Sequence, residues 1–235
     1  ELGSSNHVLI LVSGQAIGKR LQSIFIHRAH NQGRAVELPW IGTPSQLFRN
    51  FIGTQKRIVD PTTILLATTA VLKGMEPNII APIVGPRRPT DDNFIAWSGL
   101  AKHVCEAIKT ASGSGYSLDR SSWPERATTM LTDSAIKRFD VLQEVQSKVE
   151  SALKKDDLCI FESEQLQLLS SNQELDLGSI ERVVIVGASD LAGIATQLLD
   201  RMFDQGVLID VLIRAPESAS AGFDTHGCIE NSYWV

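Results

Sequence analysis

"HVLILVSGQAIGKRLQSIF", residues 7–25, decides the fold. Its first six residues are rich in Val, Leu and Ile with no alternation, the pattern of a strand buried on both faces of a parallel sheet. Ser13 and Gly14 then break the run. Ile17, Leu21, Ile24 and Ala29 follow near one face, which predicts a helix stopped by Gly33. Strand, glycine turn and a helix carrying Gly-Lys outline a phosphate-binding loop. A working loop of that kind needs G-x-x-x-x-G-K-[ST], whose amides wrap phosphate, whose Lys reaches the terminal phosphates and whose hydroxyl holds magnesium. Here Gly14 and Gly18 stand one residue too close, and Arg20 occupies the hydroxyl position. The stretch therefore argues for the strand–helix unit and against the nucleotide loop.

Outward from it, "AVELPWIG" is a short extended piece, with Pro39 pointing to an edge or a strand end. Thr43 is placed to cap a helix "PSQLFRNFI" with Pro44 at its first position. Strand, helix, strand, helix predicts a parallel α/β layer over residues 1–60. From residue 61 to 175 the pattern reads all-helical: "PTTILLATTAVLKG", a Pro-rich connector "EPNIIAPIVGPRRPT", and "DDNFIAWSGLAKHVCEAIKTA" with Asp91 or Asp92 as cap. The apolar positions of that last helix include Ile95, Leu100, Val104 and Ile108, and two further helices cover 134–155 and 161–171. Residues 176–235 return to α/β, with "RVVIVGAS" as a buried strand, a helix for which Asp190 is the expected cap, and "LIDVLIRAP" as another strand. The expected architecture is one parallel sheet, both faces covered by helices, whose halves flank a large all-helical insertion. The strands at 7–12 and 182–187 should lie in that one sheet, because neither half alone has strands enough.

Composition sets outer bounds. The chain has 235 residues, 43% hydrophobic and 21% charged, ordinary for a globular protein. No apolar run approaches the ~18 residues of a membrane span. Cys105, Cys159 and Cys228 are odd in number and widely spaced, which predicts reduced thiols, and with no basic leader in residues 1–6 the expected compartment is cytoplasmic. The missing initiator Met predicts a piece of a longer chain. The net charge of −5 is uneven: residues 1–60 carry seven Lys and Arg against Glu1, Glu37 and Asp60, while the remainder carries the acidic excess. A basic end on an acidic chain permits contact with a polyanion there.

"LVSGQAIGKRLQSIF" followed by "IGTPSQLFRNFI" resembles the segments called motifs Ia and Ib of UvrD-like superfamily-one helicases. In those proteins strand ends and helix starts touch the DNA backbone. The chain is more specifically similar to the AddB/RecC family, the helicase-like partner subunits of bacterial double-strand-break repair helicase–nucleases. "DDNFIAWSGLAKHVCEAI" resembles that family's inserted helical region. "RVVIVGASDLAGIATQLLDRMFDQGVLIDVLIRAPESASAGFDTHG" resembles the close of its first helicase-like domain, with His226 where the family has an aromatic.

The resemblance implies a P-loop NTPase-related fold with degenerate ATPase motifs. It implies a role in DNA repair and recombination beside a partner helicase–nuclease subunit, and a PD-(D/E)xK exonuclease part far beyond residue 235. DNA, single-stranded or as a duplex end, would be held by Ser13, Gln15, Lys19, Arg20 and Thr43 as hydroxyl, amide and cationic phosphate contacts. This segment would carry no catalytic residue, metal or cofactor of its own.

The alternative is a nucleotide-binding α/β enzyme using the crevice near Gly187 in "VGASD". Other signals are weaker. His27 and His30 have a metal-ligand spacing without a second pair, Asp224 and His226 could form an acid–base pair without a nucleophile, and Arg87 and Arg88 sit in a stiff loop. Trp40, Trp97, Trp123 and Trp234 could stack on bases, although Trp97 reads as core.

Overall fold

A computed structural model describes residues 7–52, 57–85, 88–123, 129–171, 174–187 and 190–230. Arg87 and Trp234 lie outside them. The chain forms two compact units, one of residues 1–53 with 171–235 and one of residues 54–170.

The first unit is built on β1 (Val8–Val12), α1 (Gln15–Asn31), β2 (Trp40–Gly42) and α2 (Pro44–Ile52). Its four-stranded sheet has the order β2-β1-β5-β6, with β5 (Arg182–Val186) and β6 (Leu208–Leu212) joined through a helix at Gly193–Asp204. Every pairing is parallel. The register Val8↔Arg182 through Val12↔Val186 joins β1 directly to β5, as the two apolar runs predicted. The short β2 takes an edge, where Pro39 places it.

Side chains paired across a parallel register share a face. Leu9 and Leu11 on one face are fully buried with Val183 and Ile185 of β5. The opposite face, with Ile10, Val12 and Ile41, receives α1. The helix packs through Gly18, where an added Cβ would lie 3.4 Å from Val12 and 3.5 Å from Ile41. Gly18 sets the phase of α1: Leu21, Phe25 and Ala29 are partly covered, whereas Ile17 and Ile24 are about half exposed. The expected apolar face is thus rotated, because the closest approach belongs to a residue with no side chain. Full cover on both faces also fails at β6, where Leu208 is 53% and Leu212 57% exposed. They flank Asp210, which pairs with Arg182 at 3.3 Å on the same face.

The second unit contains α3 (Pro61–Gly74), α4 (Pro77–Val84), α5 (Phe94–Gly113), α6 (Asp133–Leu153) and α7 (Phe161–Ser170). It is not all-helical: β3 (Arg57–Ile58) pairs in parallel with β4 (Leu158–Cys159). These strands are two residues long and leave no readable pattern. The Pro-rich connector contains a helix, α4: Pro77 sits at its favourable first position and Ile80 is buried, which together outweigh the helical N–H that Pro82 lacks. The N-cap of α5 is Asn93, not Asp91 or Asp92. Asp91 faces Arg88 at 3.9 Å, and the Thr90 hydroxyl bonds the Asp92 carboxyl and holds it below the usual range. That leaves Asn93 Oδ1 to accept the Ala96 N–H. The core of this unit centres on Trp97, fully buried, with Leu72, Ala101, Val104 and Val145 around it. Ile95, expected among the apolar positions of the helix, is 83% exposed.

The helix at Gly193–Asp204, α8, is capped at Ala192 without any side-chain bond, so Asp190 is not its cap. It buries Ile194, Leu198, Leu199 and Met202. After β6 the chain forms a hairpin, with Phe223 bridged to Ile229 and Gly227 at φ +79°.

Candidate nucleic-acid interface

The carboxyl ends of β2, β1 and β5 meet along one edge of the sheet. Register places Val12 beside Val186 and Leu11 beside Gly42, so Ser13 and Gly187 lead off their strands at the same level and Thr43 leads off β2 one residue lower. From β1 the chain moves through α1 to β2, and from β5 it moves through α8 to β6 in the opposite direction. With right-handed crossovers this order sends α1 and α8 to opposite faces, and it makes the β1–β5 boundary a topological switch point, the place where open α/β sheets form a crevice.

Ser13 is exposed immediately after the buried Val12. Gly14 is the N-cap of α1, with extended backbone and no side-chain bond to the helix, while its carbonyl accepts the N–H groups of Ile17 and Gly18. The N–H groups of Gln15 and Ala16 therefore have no helical partner, and no acidic residue stands in the first turn. Such a helix start favours an anion. Gln15 and Lys19 are four residues apart on one side of α1, both exposed. Arg20 is exposed on the outward face, together with Ser23 and His27. The structure thus brings Ser13, Gln15 and Thr43 to one edge, with Lys19 one turn along and Arg20 around the helix.

Thr43 is half-buried and tied to Gln46. Gln46 Oε1 accepts the Thr43 N–H at 2.8 Å and the Thr43 hydroxyl at 3.4 Å. This is the reach-back half of a capping box, and the sequence T-P-S-Q carries its signature. A Cβ on Gly42 would run into the Trp40 ring and lie 2.9 Å from the same Gln46 oxygen. Trp40 is thereby set on the sheet face shared with Gly42, half-buried rather than free for stacking. Gln46 and Gly42 are the residues that position Thr43.

At the end of β5, Gly187 takes φ +61° and its N–H donates to the Leu212 carbonyl at 3.0 Å. Beyond it, Cys228 Sγ accepts the Leu191 N–H at 3.4 Å, fastening the turn to the hairpin. Burial pushes the Cys228 thiol up, which keeps it protonated. Asp224 and His226 do not form an acid–base pair. The Asp224 carboxylate accepts the N–H groups of His226 and Cys228 at 2.9 and 2.8 Å, which shapes the turn. The His226 ring instead meets Asp200 of α8, Nε2 to Oδ1 at 3.0 Å.

His27 lies beside Asn31 at 3.1 Å. Among the described residues no group of three or more His, Cys, Asp or Glu is placed to hold a metal ion, and no helix is long and apolar enough to cross a membrane. Arg88 is engaged too: its guanidinium donates to the Lys73 carbonyl at 3.0 Å and lies 5.2 Å from the Trp97 ring centre. Trp123 donates to the Ser117 carbonyl and packs edge-on against Phe139. Compared with known proteins, the chain matches no family model and no curated protein sequence.

Proposed function

We propose that this chain is a DNA-contacting, helicase-like segment of an AddB/RecC-type double-strand-break repair subunit. In this reading it holds the DNA backbone and a partner helicase–nuclease subunit without chemistry of its own. Residues 54–170 are then the helical insertion of a P-loop-related domain. The ATPase and PD-(D/E)xK exonuclease chemistry belongs to other parts of the assembly, in the cytoplasm.

One observation carries the reading. The ends of β1 and β2 deliver the starts of α1 and α2 side by side, neither first turn holds an acidic residue, and the exposed charges on the first two turns of α1 are Lys19 and Arg20. Over residues 7–52 the charged side chains are Lys19, Arg20, Arg28, Arg34 and Arg49 against Glu37 alone. A phosphate backbone suits such an edge through backbone amides, hydroxyls and cations, with no base readout. The test is fluorescence anisotropy of a labelled oligo-dT titrated at 50–200 mM salt. Binding should weaken steeply with salt, and Lys19→Ala with Arg20→Ala should flatten the log–log slope by about 0.7 for each phosphate no longer neutralised. Salt-insensitive binding, or a slope unchanged in the double variant, sinks the assignment of these residues.

A nucleotide-binding enzyme is the second reading, favoured by the β1–β5 switch point with the left-handed Gly187 beside Ser13. It requires thermal stabilisation by ATP or a dinucleotide at millimolar concentration, and no shift removes it.

A further inference from the structure

The helical unit contains a cleft of about 150 Å³ that DNA binding does not use. Ile64 of α3, Ile108 of α5, Val149 of α6 and Ile160 before α7 supply apolar walls. Thr68 and Cys105 also line it, and the thiol donates to the Thr68 hydroxyl at 3.4 Å. Thr68 is only 1% exposed. The two groups carry two hydrogens and share one hydrogen bond, so one hydrogen has no acceptor among the described residues. The next residue shows the usual remedy, since the Thr69 hydroxyl donates to the Leu65 carbonyl at 2.8 Å. Gln146 adds an acceptor. Its Nε2 is committed to Glu150 at 2.7 Å and Ser163 at 3.1 Å, and its carbonyl oxygen has no partner among the described residues. A buried hydroxyl–thiol pair with one hydrogen to spare and a half-buried amide oxygen thus line the same apolar cleft. An unsatisfied donor in such a place is unfavourable until an acceptor arrives.

We propose that this cleft binds a small neutral molecule, a monocyclic phenol or cyclic alcohol, whose oxygen accepts from Thr68 and whose hydroxyl donates to Gln146. The volume suits one six-membered ring; an aliphatic cavity of about this size in another protein holds benzene. Neutrality follows from the surroundings. Burial opposes any charge at the floor, and Glu106 and Glu162 add negative potential at Cys105, whose thiol burial already pushes up. A carboxylate would meet that potential. Lys109 stands exposed at the rim, where solvent screens it.

The experiment is an NMR titration of the isotope-labelled full chain with phenol, benzene and benzoate. Phenol should give saturable shifts at Ile64, Thr68, Cys105 and Val149 with a Kd of about 1 mM or tighter, within reach of seven heavy atoms. Thr68→Val should weaken phenol by about fivefold to tenfold and leave benzene unchanged, as removal of one hydrogen bond requires. Benzoate should bind at least ~10-fold more weakly than phenol. In the unmodified chain, saturating phenol should slow alkylation of Cys105 and not of Cys159 or Cys228, a readout that does not depend on the variant's folding. Absence of saturable shifts at the cleft, phenol binding that survives Thr68→Val, benzoate binding equal to phenol, or unprotected Cys105 would each overturn the proposal.

Discussion

The same substitution should act with opposite signs at two glycines of the sheet unit. At Gly227 the backbone has φ +79°, and a Cβ there would collide with Val211 of β6 and lie 3.0 Å from Ile213 Cδ1. Alanine in the left-handed region loses about 1–2 kcal/mol, and forcing a methyl into a filled space costs about 1–3 kcal/mol more. Gly227→Ala should therefore destabilise the unit by about 2–5 kcal/mol. Gly18 sits inside α1 with ordinary helical backbone, and its Cβ would find Val12 at 3.4 Å and Ile41 at 3.5 Å, close to ordinary van der Waals contact. Alanine there gains helix propensity of up to about 1 kcal/mol, so Gly18→Ala should stabilise by about 0.5–1 kcal/mol. Gly18→Leu should reverse the sign by pushing α1 off the sheet. Urea unfolding followed by circular dichroism gives the midpoints, and hydrogen exchange of the β5 and β6 amides reports on this unit alone. A Gly227→Ala midpoint equal to wild type, or a Gly18→Ala destabilisation above ~1 kcal/mol, would refute the packing argument.

Trp97→Phe keeps a buried ring but leaves the Thr90 carbonyl without its indole N–H, now at 3.0 Å, and should cost about 1–2 kcal/mol; Trp97→Ala should cost about 3–5 kcal/mol. Asp60→Ala should lower the unfolding midpoint by removing the acceptor of the Thr62 and Thr63 N–H groups and the Thr63 hydroxyl. The hydrogen bonds of Thr63 hold the Asp60 carboxyl below its ordinary 3.8. Its contribution is therefore fully present above that value and is lost as pH falls through the lower folded value, a difference between wild type and variant that acid titration of stability would read.

The sheet was legible because residues 8–12 and 183–186 are uninterrupted branched-aliphatic runs, the composition of strands covered on both faces. The phase of α1 was hidden because the residue that meets the sheet, Gly18, contributes nothing to an apolar periodicity. The cap of α5 was ambiguous among three neighbouring Asx residues until Arg88 and Thr90 claimed two of them. At the site, Ser13, Gln15 and Thr43 could be grouped from strand ends alone, whereas Gln46 was announced only by its three-residue offset from Thr43. The partner of His226 was not readable, since Asp200 lies on another element, 26 residues earlier.

The small β3–β4 pair has a consequence for how the chain folds. It joins residues 57–58 to 158–159, and the Val59 N–H extends it to the Cys159 carbonyl at 2.9 Å. Both ends of the helical unit are thereby held one strand spacing apart. The central pairing of the sheet, β1 with β5, must close a loop over residues 13–181. If the helical unit has formed, most of that span is already closed, and the free contour shrinks to about two-fifths of its length. The entropy saved is small, about 0.8 kcal/mol, or roughly a fourfold gain in closure rate. Long-range parallel pairing is the slow event in such topologies. A two-residue clip, its Leu158 packed against the helical core, thus tilts the order of events modestly towards helices first and the sheet afterwards.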